Sequence, residues 1–419
     1  MRDFADLERD LLSALKHDGA GLLEQCLNDP EFPQPKAPLD SGEEHAGYRT
    51  KAVLINLGWI TLRRPYHSNP ARGQGRCPLD RAWGFVDSYS PEVLRLSCRA
   101  AASSGSYDAA SQDLLTYAGL AIDPKQLQRL VAAIAPVMNR WREAQPPAFL
   151  QPTCGEVMCI GTDGTGAPMR RAYLRGRKGK QGRARTREVK VGTVFTHRKP
   201  TAPDQRPERD YQSTSYLAAI VSSEDFGPLL RHEAIRRGMG WAKTVVFLGE
   251  GAVWVWKVAR LNFPGAVCIL DYYHACEHLS LLAAAIYGEA TPQAKRHYRL
   301  WKKWLLKDKV AQIIKQATEA LPTKAASRKV AKLQINYLER NRTKMLYQTF
   351  REAGYFIGSG VTEAGCKIVV GQRLKQSGML WSRKGAEHLL SVRCALLSGW
   401  FQNFWKNYSK SGQALAFAA

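Results

Sequence analysis

From residue 157 to residue 270, apolar runs of strand length alternate with helical stretches in an order that few sheets allow. The first run, Val157-Met-Cys-Ile-Gly-Thr-Asp163, stops on an acid set among glycines. Strands are predicted next over 190–196 and 216–221, then a helix over 226–237, a strand over 244–248, a helix over 252–261 and a strand over 266–270. In most chains Asp-Gly after a strand is only a turn, so Asp163 gains meaning only from partners later in the chain.

Three strands, a helix, a strand, a helix and a strand is the order of a ribonuclease-H-like sheet, in which the first and fourth strands are neighbours. That order puts Glu250, which follows the fourth strand in Phe247-Leu-Gly-Glu-Gly-Ala252, beside Asp163. A third acid, Glu363, lies in the first turn of a helix opened by Val361-Thr-Glu-Ala-Gly365. Converging carboxylates of this kind hold two divalent cations, Mg2+ or Mn2+, for phosphoryl transfer. Asp163, Glu250 and Glu363 are therefore the candidate catalytic and metal-holding residues.

Charge points to the partner. The chain has 419 residues with 61 Lys+Arg against 37 Asp+Glu, a net of +24, and its first fifty residues are acidic. The remainder is thus still more basic, which favours a polyanion such as double-stranded DNA over a merely soluble basic enzyme. Ten bases against one acid fall within 170–190: Arg170, Arg171, Arg175, Arg177, Lys178, Lys180, Arg183, Arg185, Arg187 and Lys190, interleaved with glycines. Such a loop is expected to follow a phosphate backbone rather than read bases. A solvated charge run is the alternative.

Residues 1–28 have helical spacing and are followed by a Pro-rich linker, and 48–66 reads as a hairpin pivoting on Gly58. Over 104–134 a helical run ends at Gly119, and Asp123-Pro124 opens another, which is helix-turn-helix spacing. A packing αα-hairpin is the commoner cause of such a pattern, because only Lys125 and Arg129 stand out as DNA contacts. After residue 276 the chain turns helical to about 350, with Trp301, Trp304, Leu305, Val310, Ile313 and Ile314 in one stripe.

The expected class is a mixed α+β and α/β multidomain chain. A mainly helical N-terminal DNA-binding region covers 1–147, and a ribonuclease-H-like core covers 148–276. An all-helical insertion covers 277–350, and 351–419 completes the core. Arg373, Lys375 and Arg383 in the last segment are further candidate phosphate contacts. Nine scattered cysteines without a CxxC framework fit reduced thiols, with neither disulfides nor structural zinc expected. No apolar run is long enough to cross a bilayer, so a cytoplasmic, nucleoid-associated protein without membrane partners is expected.

The motifs GWITLRRPY, CPLDRAWGF, GTDGTG, KVGTVFT, GEGAVWVW, LDYYHACEHL and GSGVTEAGCKIVVGQRLKQSGMLWSRKGA run through most of the chain. In these it resembles the DDE transposases of bacterial insertion sequences of the ISKra-four type, related to Mutator-like elements. The resemblance implies that Asp163 is the first catalytic Asp, Glu363 the catalytic Glu, and Asp271 and His274 an accessory Asp-x-x-His. It also implies terminal inverted repeats and target DNA as substrates, and a homodimer or higher oligomer in the synaptic complex. Two departures stand out: Gly-Glu-Gly-Ala replaces the usual Gly-Asp-Gly-Ala at Glu250, and only Cys77 remains where relatives show paired cysteines.

Asp271 also reads as an ordinary helix N-cap. Trp381 is considered for stacking on an unpaired base, although an aromatic beside Gly and Leu is more often core. The leading function is a transposase that cleaves and joins DNA with divalent metal. A nuclease on the same fold and a catalytically impaired DNA-binding relic remain open, because water and a 3′-hydroxyl attack through the same carboxylates.

Overall fold

The computed structural model describes residues 3–35, 38–146, 156–179, 182–201 and 205–408. In chain order its elements are α1 (Phe4–Asn28), β1 (Glu44–Ile55), β2 (Gly58–Asn69), β3 (Gln74–Arg76), α2 (Pro78–Ala82), α3 (Pro91–Ser103), α4 (Tyr107–Asp113) and α5 (Pro124–Glu143). There follow β4 (Val157–Pro168), β5 (Lys178–Gly179), β6 (Gly182–Arg183), β7 (Thr186–Arg198), β8 (Glu208–Arg209), β9 (Ser215–Ala219), α6 (Ser223–Arg236), β10 (Thr244–Gly249), α7 (Val253–Asn262) and β11 (Val267–Leu270). The remainder is helical: α8 (Tyr272–Tyr287), α9 (Pro292–Leu305), α10 (Val310–Glu319), α11 (Ala325–Asn341), α12 (Tyr347–Glu352), α13 (Gly360–Gly365), α14 (Gln372–Leu374), α15 (Arg383–Leu397) and α16 (Phe401–Tyr408). These divide into two compact units, Met1–Ala144 with Lys384–Ala419, and Gln145–Arg383.

In the first unit, β1 and β2 form the expected hairpin, closed between Ile55 and Gly58, whose φ of 138° only glycine adopts freely. Val53, Ile60 and Leu62 on its inner face pack with Ala20 of α1. Gly119 (φ 69°) ends the turn after α4, and the Asp123 carboxylate caps α5 by accepting from the Lys125 and Gln126 amides. Leu127, Leu130, Val131, Ile134 and Met138 of α5 are buried, leaving Lys125 and Arg129 exposed. The π-helical turn Leu114–Ala118 separates α4 from that glycine.

One boundary differs from the sequence reading. Residues 384 onward were expected to complete the core, but the C-terminal helices belong to the first unit. Trp141 of α5 stacks on Trp400 with ring centroids 5.8 Å apart and meets Phe404 edge-on at 5.7 Å. The Tyr408 hydroxyl donates to the Gly84 carbonyl at 3.0 Å, and Asn139 donates to Ser391 at 3.0 Å. Burial of these aromatics supplies the driving force, and it acts between segments far apart in sequence.

The second unit is built on a sheet ordered β11-β10-β4-β7, with β8 and β9 both pairing β7. β10 runs parallel to β4 and β11, whereas β7 is antiparallel to β4 and β9. Side-chain alternation along β4 serves both faces. Met158 and Ile160 pack with Phe226 and Leu230 of α6, Val255 of α7 and Phe263 just after it. Val157 and Cys159 face the other way, into a cluster that includes Leu279, Trp301, Ile313 and Leu338. The helical segment α8–α12 therefore shares one continuous core with the sheet. No helix among the described residues is long and apolar enough to cross a membrane.

Candidate functional site

Asp163 is not the last residue of its strand. β4 continues to Pro168 because β7 keeps pairing with it as far as Thr186, whereas the parallel partner β10 stops opposite Gly161. Asp163 thus sits two residues beyond the end of the parallel neighbour while still held by Val191 across the antiparallel one. Its side chain lies on the face of Val157, Cys159 and Thr165, by alternation. The basic excursion is correspondingly shorter than the loop read from sequence, since Met169 and Arg185 are already joined by a 3.2 Å backbone hydrogen bond.

Glu250 follows β10 directly, and Asp271 follows β11. Parallel neighbours bring both to the same end of the sheet. Asp271 is buried and wholly engaged: one carboxylate oxygen accepts from the His274 amide at 2.6 Å and the other accepts from the Ser359 amide. It therefore caps α8 and ties down the loop leading to α13. His274 lies 3.4 Å from Glu277 and packs edge-on against His278.

Glu363 arrives on α13, which packs on β4 and β7. The Thr362 hydroxyl is buried against that of Thr193 at 2.8 Å, and Gly161 has no room for a Cβ because Thr362 Oγ1 occupies its place. This close approach sets the helix on the strand. One turn further, the Cys366 thiol donates to Asp163 Oδ2 at 3.1 Å. Glu363 itself is exposed and takes an ion pair with Lys367 at 2.7 Å, one helical turn on.

Burial, and after it the carboxylates of Asp163, Asp271, Glu363 and Glu277, push the Glu250 carboxyl up to about 7. Burial disfavours the charged form, and like charges that cannot all ionise in one place add to the shift. The three acids named from sequence, with Asp271, thus share one electrostatic site. Among the described residues no group of three or more His, Cys, Asp or Glu stands ready to hold a metal ion. In kind, however, hard carboxylate oxygens suit Mg2+ or Mn2+.

Of the candidate DNA contacts, Arg170, Arg171, Arg175, Arg177, Arg183 and Arg185 are exposed and Arg187 is half-buried, while Lys178 lies in β5 and Lys180 lies outside the described residues. Lys375 is exposed and donates to Thr165 at 2.6 Å, two residues along β4 from Asp163. Three others do not present a charge to solvent. Lys190 is buried, paired with Glu188 at 2.6 Å and held 4.0 Å over the Trp254 ring. Arg373 is fully buried above Trp381, and the half-buried Arg383 donates to the Ile220 carbonyl at 3.0 Å.

Trp381 is not placed to stack on a base either. Its backbone bridges to Met169, just past the end of β4, its indole N–H donates to the Leu374 carbonyl at 3.0 Å, and 7% of it is exposed. Sequence reasoning also passed over Tyr337, whose hydroxyl donates to the Glu250 carbonyl, and Cys366, three residues after Glu363 on the same helical face. The glycines on both sides of Glu250 were the available signal for a close neighbour there.

No family model matches the chain. Over an alignment of 428 positions it is 22% identical to the "UPF0236 protein in vanSb 3'region" of Streptococcus gallolyticus, covering 97% of this chain and 86% of that protein. Among solved structures, the "Drosophila P element transposase strand transfer complex" aligns with 77% of this chain and 81% of its own, at 9% identity and a TM-score of 0.27, too loose a superposition to carry an argument.

Proposed function

We propose that this chain is a DNA transposase of ribonuclease-H-like fold that cleaves the ends of an insertion sequence and joins them to target DNA. The observation that carries the reading is the raised Glu250 carboxyl, because beyond its burial it feels the acids of β4, of the end of β11 and of α13. Three antiparallel strands with two parallel ones added beside the first support the fold, and the helices α8–α12 are the insertion within it.

Asp163, Glu250 and Glu363, once drawn closer than they stand here, would hold two divalent cations, which when bound supply activation of the attacking oxygen and stabilisation of the leaving one. The rest is the work of the chain's own residues. Tyr337 fixes the backbone at Glu250, Thr362 seats the Glu363 helix on Gly161, and Asp271 locks the loop leading into α13. Lys375 beside Asp163, and the exposed arginines past the tip of β4, bind phosphates and so place the strand to be cut.

The experiment is cleavage and strand transfer on a duplex bearing the ends of the element, with Mg2+ or Mn2+. Asp163→Asn, Glu250→Gln and Glu363→Gln should each abolish both reactions while leaving duplex binding intact. Binding without metal-dependent cleavage by the wild type would replace the proposal with a DNA-binding relic. Cleavage without joining would make the chain a nuclease.

A further inference from the structure

α1 is 25 residues long, but only its second half is held by the rest of its unit. Glu24 accepts from the Thr61 amide at 2.7 Å, Asn28 bridges the Thr61 carbonyl and the Arg63 amide at 2.8 and 2.7 Å, and Lys16 donates to the Ala118 carbonyl at 2.6 Å. Before Lys16 the helix lies in solvent, and so does one whole face along its length. Phe4 (75% exposed), Leu11, Leu15 and Leu22 (64% exposed) project from that face, with Leu7 and Leu12 at its flanks.

At about 100° per residue, Phe4, Leu11, Leu15 and Leu22 fall within roughly 20° of one line, a stripe about 27 Å long. The stretch before Lys16, about three turns, is marginal as a helix in water without packing. Six large apolar side chains in one exposed stripe mark an interaction surface rather than ordinary scatter.

We propose that two copies of this chain pair antiparallel through α1, about a two-fold axis level with Ser13. The four central positions are their own mirror set about residue 13: Leu11 lies as far before it as Leu15 lies after, and Phe4 as far before as Leu22 after. A two-fold axis there stacks Leu11 on Leu15 twice and Phe4 on Leu22 twice, which is the self-complementarity that a closed symmetric pair requires.

Charge selects the direction. Asp3, Asp6, Glu8 and Asp10 crowd the N-terminal end of α1, four acids against Arg2 and Arg9. A parallel pair would set these acids against themselves, whereas an antiparallel pair holds them a stripe-length apart and opposes the helix dipoles. The area suffices: six side chains per copy, losing roughly 100 Å2 each, bury about 1,200 Å2, within the range of specific interfaces. Pairing through α1 stands whether or not the carboxylate site cuts DNA.

The test is the mass of the full chain in solution, by light scattering across a concentration series, for wild type and for Leu11→Glu with Leu15→Glu. The wild type should dimerise and the variant stay monomeric, and at dilutions where the wild type is also monomeric the two should unfold together, because neither residue is packed within the unit. Direction is read in a Cys26→Ser background by oxidising a mixture of Leu11→Cys and Leu15→Cys chains. The mixed disulfide should dominate over both homodisulfides. A monomeric wild type, a dimer that survives the double variant, or a preference for the homodisulfides would overturn the proposal.

Discussion

The Tyr337 hydroxyl donates to the Glu250 carbonyl oxygen at 2.9 Å, reaching across the position where a Cβ on Gly251 would lie. Gly251 has a φ of 90°, so the turn that aims Glu250 depends both on glycine's backbone freedom and on glycine's lack of a side chain. The Tyr337 ring is itself fixed by a stack on His278, with centroids 3.6 Å apart, and His278 is held in turn by Gln334. A helix of the α8–α12 segment thus fixes the backbone of an acid on the sheet.

Tyr337→Phe keeps the stack and removes one hydrogen bond, so it should cost about 1 kcal/mol of stability and lower cleavage roughly tenfold by loosening the Glu250 turn. Gly251→Ala should do more on both counts, since it adds backbone strain to a clash. Urea denaturation and single-turnover cleavage, run on both variants, check the ranking. Equal effects would mean that the turn does not depend on the glycine.

Glu250 gives a pH dependence with a definite sign. Its carboxyl titrates near 7 in the folded chain against 4.5 as the ordinary value, so the folded state keeps a proton that the unfolded state has already released. Between those two values stability of the metal-free protein falls as pH rises, and above 7 the full cost is present. Glu250→Gln, which cannot ionise, should therefore melt with the wild type at or below pH 4.5 and several degrees above it beyond pH 7. Thermal melts in chelator across that range decide it; a constant gap would mean that packing, and not ionisation, separates the two.

Gly161→Ala places a methyl group on Thr362 Oγ1 and must push α13 away from β4. Overpacking of this kind costs about 1–3 kcal/mol, and here it also shifts Glu363 relative to Asp163. Cleavage should fall by ~100-fold or more if the displacement approaches 1 Å. Pairing the change with Thr362→Ala should restore part of both losses, which a calorimetric scan and an activity assay on the double variant will show.

Replacing Arg171, Arg175, Arg177 and Arg183 with Ala should weaken binding to specific and random duplexes alike. For every phosphate that is no longer neutralised, the slope of log K against log salt should become shallower by about 0.9. A defect confined to the specific duplex would mean that these side chains read bases.

The order of strands and helices in the second unit was legible because alternation and breakers are local properties: β7, β9, α6, β10, α7 and β11 lie within a few residues of where the pattern puts them. The continuation of β4 past Asp163 was not, since Gly164 and Gly166 read as a turn and only the pairing with β7 keeps them extended. Charge was misread at Lys190, Arg373 and Arg383 for a related reason. A basic residue near the candidate site looks like a phosphate contact until Glu188, Trp381 or the Ile220 carbonyl is seen to hold it. Cys366 shows the converse, a residue with no evident role in sequence that turns out to touch Asp163.

The stack of Trp141 on Trp400 joins the beginning of the chain to its end, and this has a consequence for synthesis. When the ribosome has finished α5, the end of its apolar face around Trp141 has no cover, and all of Gln145–Arg383 must emerge before α15 and α16 arrive. At about 5–20 residues per second that wait is on the order of tens of seconds. The second unit, contiguous in sequence, can close first. A message truncated after Arg383 would release a chain with a finished sheet but an N-terminal unit lacking Trp400, Phe404 and Tyr408, prone to stick to its neighbours.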